Sequence, residues 1–272
     1  WAVGFLAVDR AEWGQAMVGE LEQIERLSQR WRFSIGCMSA ALRVPPRPED
    51  SGRLVVGLVL AAAIGCVGVI AYGVVRYPGM LAGGGTWLAL ATFIAVLACL
   101  TLMTAITVRR GAAGGVGLAG GVAVAVVWIV VGLVVVAAAA SQPAFSLLLV
   151  ALPLVSLAVG AAGTWRGKSA TAGRRAALVS AVVAGLLLFL TLAGTALITA
   201  GGPYDAGQIR DFPSSGLPNM ATYAVSDNLG TAMVLLLLAS TMTATIGSLG
   251  ATLTARIGRP PPSHTGDPRH VP

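Results

Sequence analysis

Charge is what this 272-residue chain has least of. Asp, Glu, Lys and Arg together make up 11% of it, against roughly 25% in soluble domains. Hydrophobic residues make up 56%, and the mean hydropathy is +0.81. A soluble core in a chain of this size cannot hide that much apolar surface, so lipid is the expected solvent for much of it. Cysteine is scarce as well. Cys37, Cys66 and Cys99 form no C-x-x-C pair, and two of them lie inside apolar runs. They read as small buried thiols and not as metal or redox groups. The two histidines, His264 and His270, sit six apart near the end of the chain, which is no ligand signature. No G-x-S-x-G, H-E-x-x-H, Walker or G-x-G-x-x-G pattern stands in a usable context, so no catalytic, cofactor-binding or metal residue is assigned and no cofactor is expected.

What the chain has instead is six long apolar runs, and the first organises the rest. Residues 54–75 read LVVGLVLAAAIGCVGVIAYGVV between Arg53 and Arg76. As a helix they rise about 33 Å, enough to cross the hydrocarbon core of a bilayer. Further spans are expected at 87–108, 115–140, 144–165, 176–200 and 229–255, the third and fourth joined by a turn at 141–143. None of the six contains Asp, Glu, Lys, Arg or His. Proton relays, ion-coupled carriers and intramembrane metal enzymes place ionisable groups at depth. Their absence counts against all three and leaves transport of a neutral solute open. The expectation is an all-α polytopic membrane protein in three parts: an arm and Pro-rich elbow at 1–53, a six-helix membrane domain at 54–255, and a disordered tail at 256–272. No internal repeat stands out, so an inverted-repeat transporter is not indicated.

The +7 net charge reads as topology and anionic lipid, not nucleic acid, because the cations border the apolar runs. With both ends inside, only Arg76 and Arg210 of the 18 Lys and Arg face out. The fourth-to-fifth loop, expected over 166–175, supplies four of the inward cations. The positive-inside rule therefore predicts six spans with cytoplasmic termini.

Ahead of the first span, residues 9–42 have the period of one long amphipathic helix. Its apolar stripe runs through Trp13, Met17, Leu21, Ile24, Leu27, Trp31, Ile35, Met38 and Leu42, spaced three or four apart. Gly14, Gly19 and Gly36 are its expected weak points. Acids come first along it and bases last, which suits the helix dipole. Arg26, Arg30, Arg32, Arg43 and Arg47 are the expected contacts for anionic headgroups. Pro45, Pro46 and Pro48 are expected to stop the helix and form an elbow. WAVGFLAV at the start is too short by itself for a secretory signal with its cleavage site, and could be the stub of something longer.

Three uses fit the stripe of Trp13, Met17, Leu21, Ile24, Leu27 and Trp31: lying on the membrane surface, docking in a groove of a cytoplasmic protein, or packing on the protein's own cytoplasmic ends. Glu20 interrupts the stripe and suggests an Arg partner or a specific contact. In the last span Ser240, Thr241, Thr245 and Ser248, with Thr243, Thr252 and Thr254, could line a polar path; helix packing explains them equally without one. Gly117 and Gly121 form a GxxxG pair suited to packing, and Pro153 is expected to bend the fourth span. The outer loop 201–227 is either a sensing or gating element or a plain connector.

The arm also carries a resemblance. Arg10, Trp13, Gly14, Ala16, Met17, Glu20, Leu21 and Ile24, followed by Arg30, Phe33, Gly36 and Cys37, resemble the N-terminal signature of an uncharacterised family of bacterial multi-pass membrane proteins, R-x-x-W-G-x-A-M-x-x-E-L-x-x-I…R-x-x-F-x-x-G-C. The match covers about the first forty residues. It implies a bacterial inner-membrane location and no particular reaction or ligand. Proteins of this kind often accompany transcriptional regulators, an association that favours a signalling-linked role. The leading expectation is a non-enzymatic regulatory or scaffolding component acting through its arm. The alternative is a permease or transporter subunit for a neutral or lipid-like substrate. Expected partners are the bilayer and a cytoplasmic protein; nucleic acid is not expected, and self-association stays open.

Overall fold

A computed structural model describes residues 19, 20, 24, 29, 33, 48–82, 86–109, 114–137, 142–202 and 204–257. All regular structure among these residues is helical, so the chain is all-α. Contacts divide it into two units, Trp1–Leu54 and Val55–Pro272.

In the first unit, Gly19, Glu20, Gln29 and Phe33 are helical and Ile24 is not. The single helix expected over 9–42 is therefore interrupted at Ile24, whereas Gly19, an expected weak point, is helical. Glu20 is exposed and Ile24 half-buried. Trp13, Met17, Leu21, Leu27 and Trp31, the arginines at 26, 30, 32, 43 and 47, and residues 258–272 of the tail with both histidines lie outside the described residues; Arg256 and Ile257, expected in the tail, are helical.

Among the described residues seven α-helices follow: α1 Pro48–Arg76, α2 Thr86–Arg109, α3 Gly114–Ala137, α4 Gln142–Gly167, α5 Ala170–Ile198, the short α6 Ala206–Asp211, and α7 Met220–Ile257. Stretches of α1, α2, α5 and α7 are long and apolar enough to cross a membrane. The helix ends differ from those expected, and local chemistry explains each shift. Pro48 opens α1 and does not close the elbow before it, because the first turn needs no proline N–H and favours its fixed φ. Helix α5 starts at Ala170, not 176, because Ser169 caps it, accepting from the Ala172 N–H at 3.2 Å. The basic loop expected over 166–175 thus shrinks to a turn at Lys168 and Ser169, with Lys168 in the left-handed region at φ 48°, and Arg174 and Arg175 lie inside α5. Helix α7 starts at Met220, not 229, because the Asn219 side chain accepts from the Thr222 N–H at 2.9 Å. Its 38 residues rise about 57 Å, nearly twice the hydrocarbon thickness. Helix α4 runs through Pro153 without a break.

Helix α5 is the hub. Its apolar residues run all the way round, the pattern of a helix enclosed by others. Ala177, Val179, Leu186 and Phe189 are fully buried or nearly so. Helices α3, α4 and α7 meet it, and α4 also meets α3 and α7, through small residues. A Cβ placed on Gly117 would lie 2.6 Å from the Val179 Cβ, and one on Gly121 would lie 2.6 Å from the Val183 Cβ. Gly160 of α4 meets the Gly247 carbonyl of α7, and Gly247 in turn faces Ala177, with 2.7 Å to its Cβ. Such contacts let backbones approach where lipid removes the usual hydrophobic drive for association.

Candidate functional site

Among the described residues a groove lies between α2, α5 and α7 and holds about 120 Å³. Leu100, Met103, Thr104 and Thr107 come from α2, Leu178, Ala181 and Val182 from α5, and Ser240, Thr241 and Ala244 from α7.

Three of the four hydroxyls there have already spent their protons. Thr104 donates to the Leu100 carbonyl at 2.9 Å and Thr241 to the Leu237 carbonyl at 2.8 Å, each within its own helix. Ser240 reaches across to the Ala181 carbonyl at 3.1 Å. Each bond leaves oxygen lone pairs in the groove but no spare donor from that group, and beyond these and the Thr107 hydroxyl the wall is apolar. Such a surface suits an alkyl chain or a weakly polar molecule more than a charged one, which would find no compensating partner.

Of the four hydroxyl residues singled out on the last span, Ser240 and Thr241 line this groove and Thr245 and Ser248 do not. Thr245 donates to the Thr241 carbonyl at 2.8 Å, and the Ser248 carbonyl accepts from Thr252 at 2.9 Å. Thr104 and Thr107 were not anticipated. The signal for them is a run of threonines at 101, 104 and 107, three apart on one face of α2. Thr164, also unanticipated, donates to the Gly160 carbonyl at 3.0 Å and to the Ala251 carbonyl at 3.3 Å, tying α4 to α7. Ser180, fully buried on α5, has a hydroxyl with no hydrogen-bond partner.

At one end of α7, the segment read as an outer loop has structure of its own. Asp205 caps α6, accepting from the Gln208 N–H at 2.8 Å. Gln208, only 8% exposed, donates toward Asp227 and Asn228 at the start of α7, at 3.4 and 3.5 Å. Phe212 packs on Tyr223 with 5.9 Å between ring centroids. A 3-10 helix, Pro78–Ala82, meets the same segment: a Cβ on Gly79 would lie 2.6 Å from the Pro218 ring. Arg210 and Asp211 form an exposed ion pair at 2.9 Å. That partner lowers the Asp211 carboxyl below the usual carboxylate range, first by hydrogen bonding, and raises the Arg210 guanidinium. Among the described residues no cluster of three His, Cys, Asp or Glu side chains is placed to hold a metal ion. No protein-family model matches the chain, and neither a curated protein nor a solved structure is similar to it.

Proposed function

We propose that this chain is an integral membrane protein with six spans, α1 to α5 and α7, and both termini on the cytoplasmic side of a bacterial inner membrane. Its role in this reading is non-enzymatic: the membrane domain anchors the amino-terminal arm, and the arm regulates or scaffolds a cytoplasmic partner. The observation that carries it is the tight backbone packing of the helices. Glycines 117, 121, 160 and 247 bring the backbones of α3, α4, α5 and α7 together, which leaves no room for a path at those crossings. The asymmetric distribution of cations supports the orientation, and the signature in the arm supports a partner-facing role. Deleting residues 1–42 tests it. The spans should stay in the membrane while the partner no longer co-purifies; unchanged partner recovery overturns the regulatory role. A reporter fused after residue 272 that is active only outside the cytoplasm overturns the topology.

The groove favours a second reading, a permease subunit for a neutral or lipid-like molecule. In that reading the purified protein moves such a solute into liposomes with the arm removed. Substitution of Ser240 and Thr104 by leucine, which would fill the groove, then abolishes the flux.

A further inference from the structure

Three helix ends converge opposite the Gln208 cluster. Helices α4 and α5 are joined by the two-residue turn at Lys168 and Ser169, and Gly167 packs on Ala172. Thr164 of α4 bonds the Ala251 carbonyl of α7, and Arg174 of α5 reaches the Thr252 hydroxyl of α7 at 3.4 Å. Arg256 lies one helical turn beyond Thr252, on the same face. This small area therefore gathers Arg166, Lys168, Arg174 and Arg256, all exposed. Their own stretches of chain bring no opposite charge: residues 51–204 and 228–266 contain no Asp or Glu. Beside the cations stand bulky apolar groups open to the surroundings, Trp165 at 79% and Ile257 at 86% exposure.

Exposed cations gathered at three helix ends, edged by an indole and aliphatic side chains, have the two-part chemistry of a phospholipid site. We infer that the joined ends of α4, α5 and α7 bind the headgroup of an anionic phospholipid, the phosphate held by Arg174 and Arg256 with Lys168 and Arg166 beside them. The acyl chains run down the apolar flank past Trp165. The inference rests on the membrane reading above only in placing this end at a bilayer surface. It differs from the general attraction of a basic arm for a negative leaflet, because the cations are fixed by helix packing and the lipid is retained at one place.

The test uses the full chain, purified in a neutral detergent and analysed by native mass spectrometry with added dioleoyl-phosphatidylglycerol, dioleoyl-phosphatidylcholine or inorganic phosphate. The wild-type protein should retain phosphatidylglycerol in preference to phosphatidylcholine, and inorganic phosphate should not compete at millimolar concentration. The double variant R174Q/R256Q should bind phosphatidylglycerol about tenfold more weakly, and R174K should restore most of the loss. Should R174Q/R256Q not fold, Lys168→Asn serves instead. Asn tolerates the left-handed backbone there, and a several-fold loss is expected. Replacing Arg26, Arg30 and Arg32 of the arm by Gln should leave this retained lipid in place. Equal retention of the two lipids, undiminished binding by R174Q/R256Q or Lys168→Asn, or loss caused by the arm variant overturns the inference. Displacement by inorganic phosphate overturns the lipid as ligand. A protein that pellets with membranes yet shows no lipid preference sinks the inference alone; one that stays soluble without membranes sinks the membrane reading.

Discussion

Helices α3, α4, α5 and α7 are held together differently from the way α1 and α2 are attached to them. In the first group, glycine meets carbonyl or Cβ: Gly160 on the Gly247 carbonyl, Gly250 on the Leu157 carbonyl, Gly173 on the Ala251 Cβ and the Gly160 carbonyl. In the second, large side chains do the work. Phe93 of α2 leans on Phe189 of α5 with 4.8 Å between centroids. Gly73 of α1 has only the ends of the Leu197 and Leu229 side chains near it, at 3.5 Å. Burial sets α5 apart: 72% of its most apolar window is buried, against 33% for α7, 22% for α1 and 17% for α2. In lipid the alternative to a neighbouring helix is an acyl chain of equal apolarity, so side-chain burial adds little attraction. Close backbone approach adds dispersion contacts that lipid cannot match as well. The small-residue group should therefore resist unfolding, with α1 and α2 loosening first.

The hardest way to break that contrast is to widen the tight crossing. Gly160→Leu should cost about 3 kcal/mol or more, because the atoms it meets are backbone and cannot rotate away. Gly68→Leu on α1, where a Cβ meets nothing within 4 Å, should leave stability almost unchanged. Thermal melting in detergent, followed by size-exclusion chromatography, separates the two. Equal melting temperatures would mean that the crossing of α4 and α7 is not the stabilising contact.

Phe93→Ala probes the other side of the comparison and should have an intermediate effect. A buried Phe→Ala change costs about 3–5 kcal/mol in soluble cores; here lipid refills part of the space, and about 1–2 kcal/mol is expected. The sharper readout is local. Hydrogen exchange should accelerate along α2 and stay slow along α5. Uniform acceleration would show the two groups unfolding as one.

The apolar runs stand out in sequence because bilayer thickness sets a length that few soluble segments reach. Helix ends do not, because hydropathy marks where lipid stops and capping marks where the helix stops. Arg174 and Arg175 look like loop residues by charge, yet Ser169 caps a helix that contains them. Asp227 and Asn228 look like the close of a loop, yet they lie in α7 and accept from Gln208. The groove divides in the same way. The hydroxyls of Ser240 and Thr241 are visible as a cluster in one span. Thr104 and Thr107 join them only once α2 is known to lie beside α7, and no feature of either span specifies that neighbour.

Smaller effects are expected among the hydroxyls, and they sort by whether a bond crosses between helices. Ser240→Ala removes the bond to the Ala181 carbonyl and should cost about 0.6 kcal/mol, a typical value for such bonds in membranes. Thr241→Ala removes only a bond within its own helix and should be neutral. Ser180→Ala should be neutral or stabilising, because it deletes a buried donor that has no partner. Melting temperatures in the order Ser180→Ala, Thr241→Ala, Ser240→Ala, from highest to lowest, would confirm the distinction; a large loss with Ser180→Ala would reveal a partner for its hydroxyl.

The least effect is expected at the Arg210–Asp211 pair, outside both helix groups. Asp211 is held below its ordinary range by the hydrogen bond and then the charge of Arg210. The sign follows from linkage. The pair contributes fully above the ordinary carboxylate pKa and loses its contribution as pH falls through the lowered value. Both side chains are largely in water, 78% and 52% exposed, and salt screens such pairs. Asp211→Asn should leave the melting temperature at neutral pH within error and barely change its fall in acid. By contrast, Gln208→Leu leaves Asp227 and Asn228 without their link to α6 and should free the segment 206–217 for proteolysis. If Asp211→Asn exposed that segment equally, the surface pair and not the Gln208 anchor would be holding the loop on α7.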